Sequence, residues 1–373
     1  MPRELPPAED RVLRRAPVSW QPWGMTADEL HFPRTGDGWR LALHRYRPRS
    51  GGSGPPVILC GGYACNRYLL DYDESYSLAR FLARTGFDAW VLEPRGCGLA
   101  HHEPECSPAE SWNFDDLVNF DAPTGIEHVA SSTEREIVWL GHSLGGMLLY
   151  AYLGRHPERD HPIAAGVTIA SPVVFPAIRS GLVRQLGPWL LSLPLSDMVR
   201  QGRIAALLWG LLEGSWSLTG SPGALRLGVN PDNVDREMIG RAMRMMIGDV
   251  PRAKLQQLAQ WALDGVFSSA DGEIDYRAGL AKVNVPLLVA AGSADAVAPP
   301  SAVRRALDYL PPGQGTYLEF GRGYGHSADY GHIDLILGRD APLEVFPPVV
   351  AWIAEQVRGP RRAAGAEPLN EAR

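Results

Sequence analysis

One hexapeptide restricts the fold of this 373-residue chain more than any other feature. Gly141-His142-Ser143-Leu144-Gly145-Gly146 follows the apolar run of residues 137–140 and precedes the helix-like residues 147–153. This order predicts a strand, a sharp turn and a helix. A G-x-S-x-G sequence in that setting is typical of a nucleophile elbow, where glycines on both sides of the serine let strand and helix approach closely. Ser143 is therefore the candidate nucleophile, and the alternative is a turn serine that only caps the following helix.

Strand-like and helix-like segments alternate on both sides of this turn. The apolar runs that predict buried strands cover residues 56–60, 87–92, 137–140, 163–170, 286–291 and 316–320. The patterns that predict helices cover residues 75–84, 114–130 with an interruption near Pro123, 301–310 and 343–357. Such alternation is typical of right-handed crossovers onto a parallel sheet. Ahead of them, residues 29–32 and 39–46 flank Thr35-Gly36-Asp37-Gly38 and predict a hairpin.

The alternation stops between Ser171 and about Lys282. A segment of this length is not a structureless loop in a compact domain, and its apolar runs are helix-like, so residues 171–282 predict an inserted helical cap. The core then comprises residues 28–170 and 283–358. We expect residues 1–27 to form an extended arm and residues 359–373 a flexible tail. The predicted class is α/β, with a mostly parallel sheet flanked by helices.

A serine hydroxyl is a good nucleophile only when a base removes its proton and a third group holds that base. After an elbow serine, these partners follow in the order aspartate and then histidine. Asp295 comes directly after the predicted strand 286–291, at the sheet edge where active-site groups gather, and its alternative is a turn or cap aspartate. His326 and His332 both lie in the loop after the last strand, and position alone does not choose between them.

The tetrahedral intermediate of acyl transfer needs backbone N–H donors aimed at its oxyanion. Leu144, directly after the candidate nucleophile, is expected to supply one of them. Tyr63, in the loop Cys60-Gly61-Gly62-Tyr63 after the first buried strand, is expected to supply the second. The same loop lacks the lysine and the Ser/Thr of a Walker sequence, so a phosphate site is not predicted there.

Charge and cysteine content limit the expected partners. The 42 acidic and 36 basic residues are interspersed, so no basic face for nucleic acid is predicted. Neither a metal nor another cofactor is expected, because the cysteines form no C-x-x-C pair and match no zinc spacing. Free thiols and the lack of an apolar signal core favour a cytoplasmic protein, and no apolar run approaches the about 18 residues of a transmembrane helix. The cysteines are Cys60, Cys65, Cys97 and Cys106.

From about residue 28 to 357 the chain resembles the alpha/beta-hydrolase superfamily, and within it the branch of the acid lipases of lysosomal and gastric type. The motifs that carry the likeness are Gly141-His142-Ser143-Leu144-Gly145, Gly86-Phe87-Asp88-Ala89-Trp90 leading to Arg95-Gly96, and Gly331-His332-Ile333-Asp334-Leu335 followed by Gly338 and Asp340-Ala341-Pro342. The histidine of the last motif is the catalytic base in that branch, which the resemblance places at His332. The chain departs from the branch at Leu144, where glutamine is frequent, and at Gly61-Gly62, where His-Gly is common.

The resemblance implies a serine ester hydrolase that forms an acyl-enzyme on Ser143, with Asp295 and His332 as partners and His326 as the alternative base. Neutral, apolar acyl esters, either small molecules or lipids, are the expected substrates, and the leucine- and tryptophan-rich cap is the expected place of any peripheral lipid contact. Two alternatives stay open. They are acyl transfer to an acceptor other than water on the same triad, and a non-catalytic binding protein with this fold. The sequence does not predict an oligomeric state.

Overall fold

The structure, a computed structural model, describes residues 12–13, 27–49, 51–102, 112–156, 161–175, 198–199 and 228–358. Within these residues, nine strands form one sheet and four more form two short ribbons. The strands are β1 (Val12–Leu13), β2 (Glu29–His31), β3 (Trp39–Arg40), β4 (Ala42–Tyr46), β5 (Pro56–Cys60), β6 (Asp88–Glu93), β7 (His101–His102), β8 (Ile137–His142), β9 (Ile163–Ile169), β10 (Met198–Val199), β11 (Val250–Pro251), β12 (Leu287–Gly292) and β13 (Gly315–Phe320).

The order of the main sheet is β1-β2-β4-β6-β5-β8-β9-β12-β13. All neighbours from β6 to β13 are parallel, whereas the pairs from β1 to β6 are antiparallel. Parallel neighbours require crossover connections, and helices between the strands supply them. The expected α/β class, with a mostly parallel sheet flanked by helices, is therefore confirmed.

The helices surround this sheet. They are α1 (Leu78–Arg84), α2 (Phe114–Asp116), α3 (Ala122–Thr133), α4 (Leu144–Arg155), α5 (Arg236–Met246), α6 (Arg252–Asp264), α7 (Pro300–Arg304), α8 (Asp334–Leu337), α9 (Ala341–Glu344) and α10 (Phe346–Arg358). Short 3-10 turns cover Arg67–Leu69, Pro231–Asn233, Leu280–Lys282, Arg305–Tyr309 and Arg322–Tyr324. The strand β8 and the first ten residues of α4 are buried throughout, so the elbow joins two elements of the core.

One detail of the sequence interpretation was wrong, and another was confirmed. The predicted strand 39–46 is divided, because β3 pairs with β7 while β4 pairs with β2. The helix predicted over 114–130 is interrupted near Pro123, as expected: a π turn, Leu117–Asp121, precedes α3 and closes with the N–H of Ala122 bonded to the carbonyl of Leu117. Because Pro123 has no N–H to donate, the regular hydrogen-bond ladder of the α-helix is interrupted here, and the wider π turn accommodates this interruption.

The predicted cap is described only in part. Its described residues form α5, α6 and the ribbon of β10 with β11, and this ribbon does not join the main sheet. Apart from β10, its leucine- and tryptophan-rich run, residues 182–216, lies outside the described residues, as do most of the arm and all of the tail. The domain boundaries therefore stay predictions. None of the helices in the described ranges combines the length and apolar character that a bilayer crossing needs.

Candidate active site

Ser143 occupies the turn between β8 and α4 in a conformation that few residues adopt. Its φ and ψ are 53° and −118°, a positive φ in a residue that is not glycine. The backbone fixes this turn, because the N–H of Ser143 donates to the carbonyl of Ile169 at 2.8 Å and the N–H of Met147 donates to the carbonyl of Ser143 at 3.0 Å. The side chain makes no capping bond to α4. This geometry favours the elbow interpretation over a capping serine.

Two glycines make the elbow sterically possible. A Cβ on Gly141 would lie 2.2 Å from the carbonyl carbon of Gly145. A Cβ on Gly145 would lie 2.2 Å from the carbonyl oxygen of Cys60 on the neighbouring strand. Both neighbours are backbone atoms, which cannot rotate away. Any side chain at either position would therefore push the strand, the turn and the helix apart.

We expect Gly145→Ala to destabilise the protein by about 3 kcal/mol or more, at or beyond the upper end of ordinary overpacking, because its methyl group meets buried backbone. Urea unfolding followed by circular dichroism measures this. Gly323→Ala is the matched control, since a Cβ there has nothing within 4 Å. Equal unfolding midpoints for the two variants would contradict the steric explanation.

His332 bridges the two other predicted site residues. Its Nε2 lies 2.9 Å from Oγ of Ser143, and its Nδ1 lies 2.8 Å from Oδ2 of Asp295. The other carboxylate oxygen accepts the N–H groups of Val297 at 2.9 Å and Ala298 at 2.8 Å. A carboxylate only accepts hydrogen bonds, so Nδ1 carries the proton and Nε2 accepts the hydroxyl of Ser143. The ring is thereby oriented with its free lone pair toward the serine.

His326 lies elsewhere. Its Nδ1 is 3.0 Å from the carbonyl oxygen and 3.1 Å from the nitrogen of Gly321, and its ring packs on Phe320 with 5.1 Å between centroids. Of the two candidate bases, the structure thus brings His332 to Ser143 and leaves His326 bonded within its own loop. The catalytic assignment itself stays a prediction.

The predicted oxyanion loop lies beside the serine. A Cβ on Gly62 would be 3.2 Å from Cβ and 3.6 Å from Oγ of Ser143. Tyr63 is the next residue after Gly62, and Leu144 opens α4 directly after Ser143. Both expected donors therefore belong to segments that adjoin the nucleophile, and their role toward an oxyanion stays a prediction.

His142, the residue before the serine, also contacts the base. Its Nε2–H donates to the carbonyl oxygen of His332 at 2.9 Å, and the two ring centroids are 4.8 Å apart. Burial, with a smaller contribution from His332, lowers the pKa of His142 to about 3, so the ring is neutral near pH 7. No sequence pattern predicted a separate role for His142, and its place inside G-x-S-x-G was the available signal.

Three of the cysteines are described, and Cys106 lies outside the described residues. Cys60, Cys65 and Cys97 are free thiols, and burial raises the pKa of Cys65 to about 12 and that of Cys97 to about 11. Within the described ranges, no group of three or more His, Cys, Asp or Glu side chains is arranged to hold a metal ion. The cytoplasmic location expected from these thiols stays a prediction.

A sequence profile of the family described as alpha/beta hydrolase fold matches residues 55–338. This chain belongs to that family. The matched span contains Ser143, Asp295 and His332, so the three residues that meet in space also lie within the part of the chain that the alpha/beta-hydrolase family defines.

Two curated relatives show which branch of the family this chain resembles. The hydrolase is 25% identical to triacylglycerol lipase 1 of Arabidopsis thaliana, over 88% of this chain and 87% of that one. It is 29% identical to the lysosomal acid lipase/cholesteryl ester hydrolase of Rattus norvegicus, over 46% of each chain. The resemblance to the acid lipase branch, first seen in three short motifs, is confirmed by these relatives.

A solved structure shares the fold. An esterase from Thermogutta terrifontis superposes with a TM-score of 0.53 at 17% identity, and the match covers 94% of this chain and 99% of that one. At this identity the likeness concerns architecture alone.

Proposed function

We propose that this alpha/beta hydrolase is a serine ester hydrolase of the esterase or lipase type. The observation that carries the proposal is the position of the His332 imidazole, with one nitrogen 2.9 Å from Oγ of Ser143 and the other 2.8 Å from Oδ2 of Asp295. Activation of a serine requires that its hydroxyl is hydrogen-bonded to a base and that the base is hydrogen-bonded to an orienting carboxylate.

The proposed reaction has two halves. Ser143 Oγ attacks the ester carbonyl carbon while His332 Nε2 takes the hydroxyl proton, and the N–H groups of Tyr63 and Leu144 stabilise the oxyanion. The intermediate collapses, the C–O bond to the alcohol breaks, and the alcohol leaves with the proton from His332. Water then attacks the acyl-enzyme with His332 again as base. The carboxylic acid is released and Ser143 is regenerated.

Labelling of the purified protein with a fluorophosphonate, followed by peptide mapping, tests the activated serine. Modification should occur on the peptide that contains Ser143, and prior treatment with an excess of an ester substrate should slow it. A well-folded protein that takes no label would contradict the proposal and favour a binding protein with this fold. Hydrolysis is separated from acyl transfer by measuring acid and ester products with and without an added alcohol acceptor.

For the substrate, we propose neutral esters with medium or long acyl chains. The names of the two lipase relatives refer to triacylglycerol and cholesteryl ester, both neutral apolar esters. The segment 182–216 of this chain is rich in leucine and tryptophan. Apolar side chains over the serine would bind an acyl chain by removing it from water. Peripheral lipid contact through the same segment stays a prediction.

A series of p-nitrophenyl esters from acetate to palmitate tests this preference. Each buried CH₂ contributes about 0.8 kcal/mol, so kcat/KM should rise roughly several-fold per methylene until the acyl site is filled. Rates measured below the solubility limit of each ester keep aggregation from imitating selectivity. A profile that falls steadily from acetate upward would contradict the acyl site while leaving the triad untouched.

A further inference from the structure

One helix of the predicted cap is bonded, through its two flanks, to both loops that build the site. This helix is α5, and residues 228–248, which comprise α5 with its flanks, are called the strut. The base loop, residues 329–334, contains His332, and the oxyanion loop, residues 61–66, contains Tyr63. No residue of the strut takes part in the proposed chemistry.

The first flank meets the base loop at Asp334, whose side chain is fully buried. One carboxylate oxygen accepts the N–H of Asn230 at 3.0 Å, and the other accepts Nδ2–H of Asn233 at 3.0 Å and the N–H of Gly331 at 2.9 Å. Gly331 directly precedes His332. A single carboxylate therefore joins the strut to the backbone that carries the base.

Further bonds fix the same loop. The N–H of Ile333, directly after His332, donates to the carbonyl of Gly228 at 2.9 Å. The Nδ2–H of Asn230 donates to the carbonyl of Asp329 at 2.5 Å. Ile333, on one side of His332, is thus held directly by the strut, and Gly331, on the other side, is held through the carboxylate of Asp334. No side chain fits at Gly331, where a Cβ would lie 2.9 Å from the nitrogen of Asn230.

The second flank meets the oxyanion loop. The side-chain Nδ2–H of Asn66 donates to the carbonyl of Met245 at 2.8 Å, and its backbone N–H donates to the carbonyl of Met246 at 2.9 Å. The N–H of Gly248 donates to the carbonyl of Ala64 at 2.7 Å. Ala64 has a φ of 56°, a conformation that a residue other than glycine keeps only when its surroundings impose it.

The strut is itself anchored in the core. Its inner face is apolar and buried, and α5 contacts the turn Arg67–Leu69 behind the oxyanion loop. The buried side chains are Met238, Ile239, Ala242 and Met246. Because packed interiors deform little, a helix seated in this way fixes the separation between its two flanks.

We propose that the strut sets the position of the base loop relative to the oxyanion loop, so that Asn66, Asn233 and Asp334 are positioning residues for the reaction. The proposal rests on the proposed function. The hydroxyl, the base and the oxyanion donors come from three separate segments, and a displacement of about 1 Å in such a constellation costs on the order of 100-fold in rate. The strut connects two of these segments directly.

Kinetics of Asn233→Ala and Asn66→Ala test the proposal, with Asn119→Ala, an exposed helical position, as the matched control. Each of these two variants should lose about 10- to 100-fold in kcat on p-nitrophenyl butyrate, with KM changed by less than about twofold, while the control keeps its kcat. Thermal melting shows that every variant is folded at the assay temperature. Wild-type kcat in folded Asn233→Ala and folded Asn66→Ala would overturn the proposal.

The double variant distinguishes a strut from two separate local defects. Cutting either end releases the same distance constraint, so Asn66→Ala combined with Asn233→Ala should be about as slow as the slower single variant. Defects that act independently would multiply. A multiplicative loss in kcat would therefore overturn the proposal even where each single variant is slow.

Hydrogen exchange separates this proposal from the proposed function. If the wild-type protein hydrolyses no ester, the proposed function is wrong. The positioning role of the strut is then tested by hydrogen exchange at the backbone amide of Ile333. Asn66→Ala, on the opposite loop, should speed exchange at that amide, whereas Asn119→Ala should not. Unchanged protection of Ile333 in Asn66→Ala would overturn the strut without reference to activity.

Discussion

Ser143→Ala is expected to lower kcat for short aryl esters by a factor on the order of 10⁶ and to leave the protein folded. The substitution removes the only atom proposed to form a bond with substrate, and alanine retains the Cβ that the turn already accommodates. The hydrogen bond lost is the one from Oγ to His332, worth about 1 kcal/mol of stability. The expected result is a folded protein without an acyl-enzyme. Pre-steady-state kinetics should show that the initial burst of alcohol release is lost. Calorimetry should show that the variant is still folded.

A second serine provides the control. Ser269 is buried, and its Oγ donates to Asp271 at 2.5 Å and accepts the N–H of Ile274 at 2.9 Å, but it takes no part in the proposed chemistry. Ser269→Ala should keep kcat near the wild-type value although it loses two hydrogen bonds, which cost about 2 kcal/mol of stability. Activity near wild type in Ser143→Ala, with contamination excluded by expression in an esterase-deficient host, would remove Ser143 from the mechanism.

The elbow was predictable from the sequence because its chemistry is local. Strand, turn and helix are contiguous, and the glycines at 141 and 145 occupy positions where a Cβ would be 2.2 Å from backbone. The position of Asp295 followed from the rule that parallel strands present functional groups at one edge. Those inferences needed only the order of the segments.

Contacts between segments far apart in the chain were not predictable in this way. His142 and the carbonyl of His332 meet across 190 positions, and Asn233 meets Asp334 across 101. Such pairings depend on how the whole chain packs, and the periodicity of apolar residues along the sequence does not predict them. The choice between His326 and His332 was of the same kind. A family motif favoured His332, whereas spacing within the loop did not.

His332→Ala is expected to approach Ser143→Ala in severity, with kcat lower by a factor of roughly 10⁶. The two residues act as one unit, so removing either of them costs about as much in kcat as removing both. His326→Ala should lose less than about tenfold, since a general base contributes on the order of 10²–10⁴ and the His326 ring is bonded to Gly321 within its own loop. Steady-state kinetics on one aryl ester, with melting curves for both variants, measures the ranking. The reverse ranking would transfer the role of base to His326.

Asp295→Asn separates the orienting role from simple packing. An amide has nearly the shape of the carboxylate, and its oxygen can still accept the N–H groups of Val297 and Ala298, so the loop should stay in place. Its NH₂ group then faces Nδ1 of His332 and forces that nitrogen to accept, which puts the proton on Nε2 and leaves no lone pair for the hydroxyl of Ser143. The wrong tautomer costs about 10⁴ in kcat in enzymes with this arrangement. A loss below about tenfold in the folded variant would show that Asp295 does not hold the base.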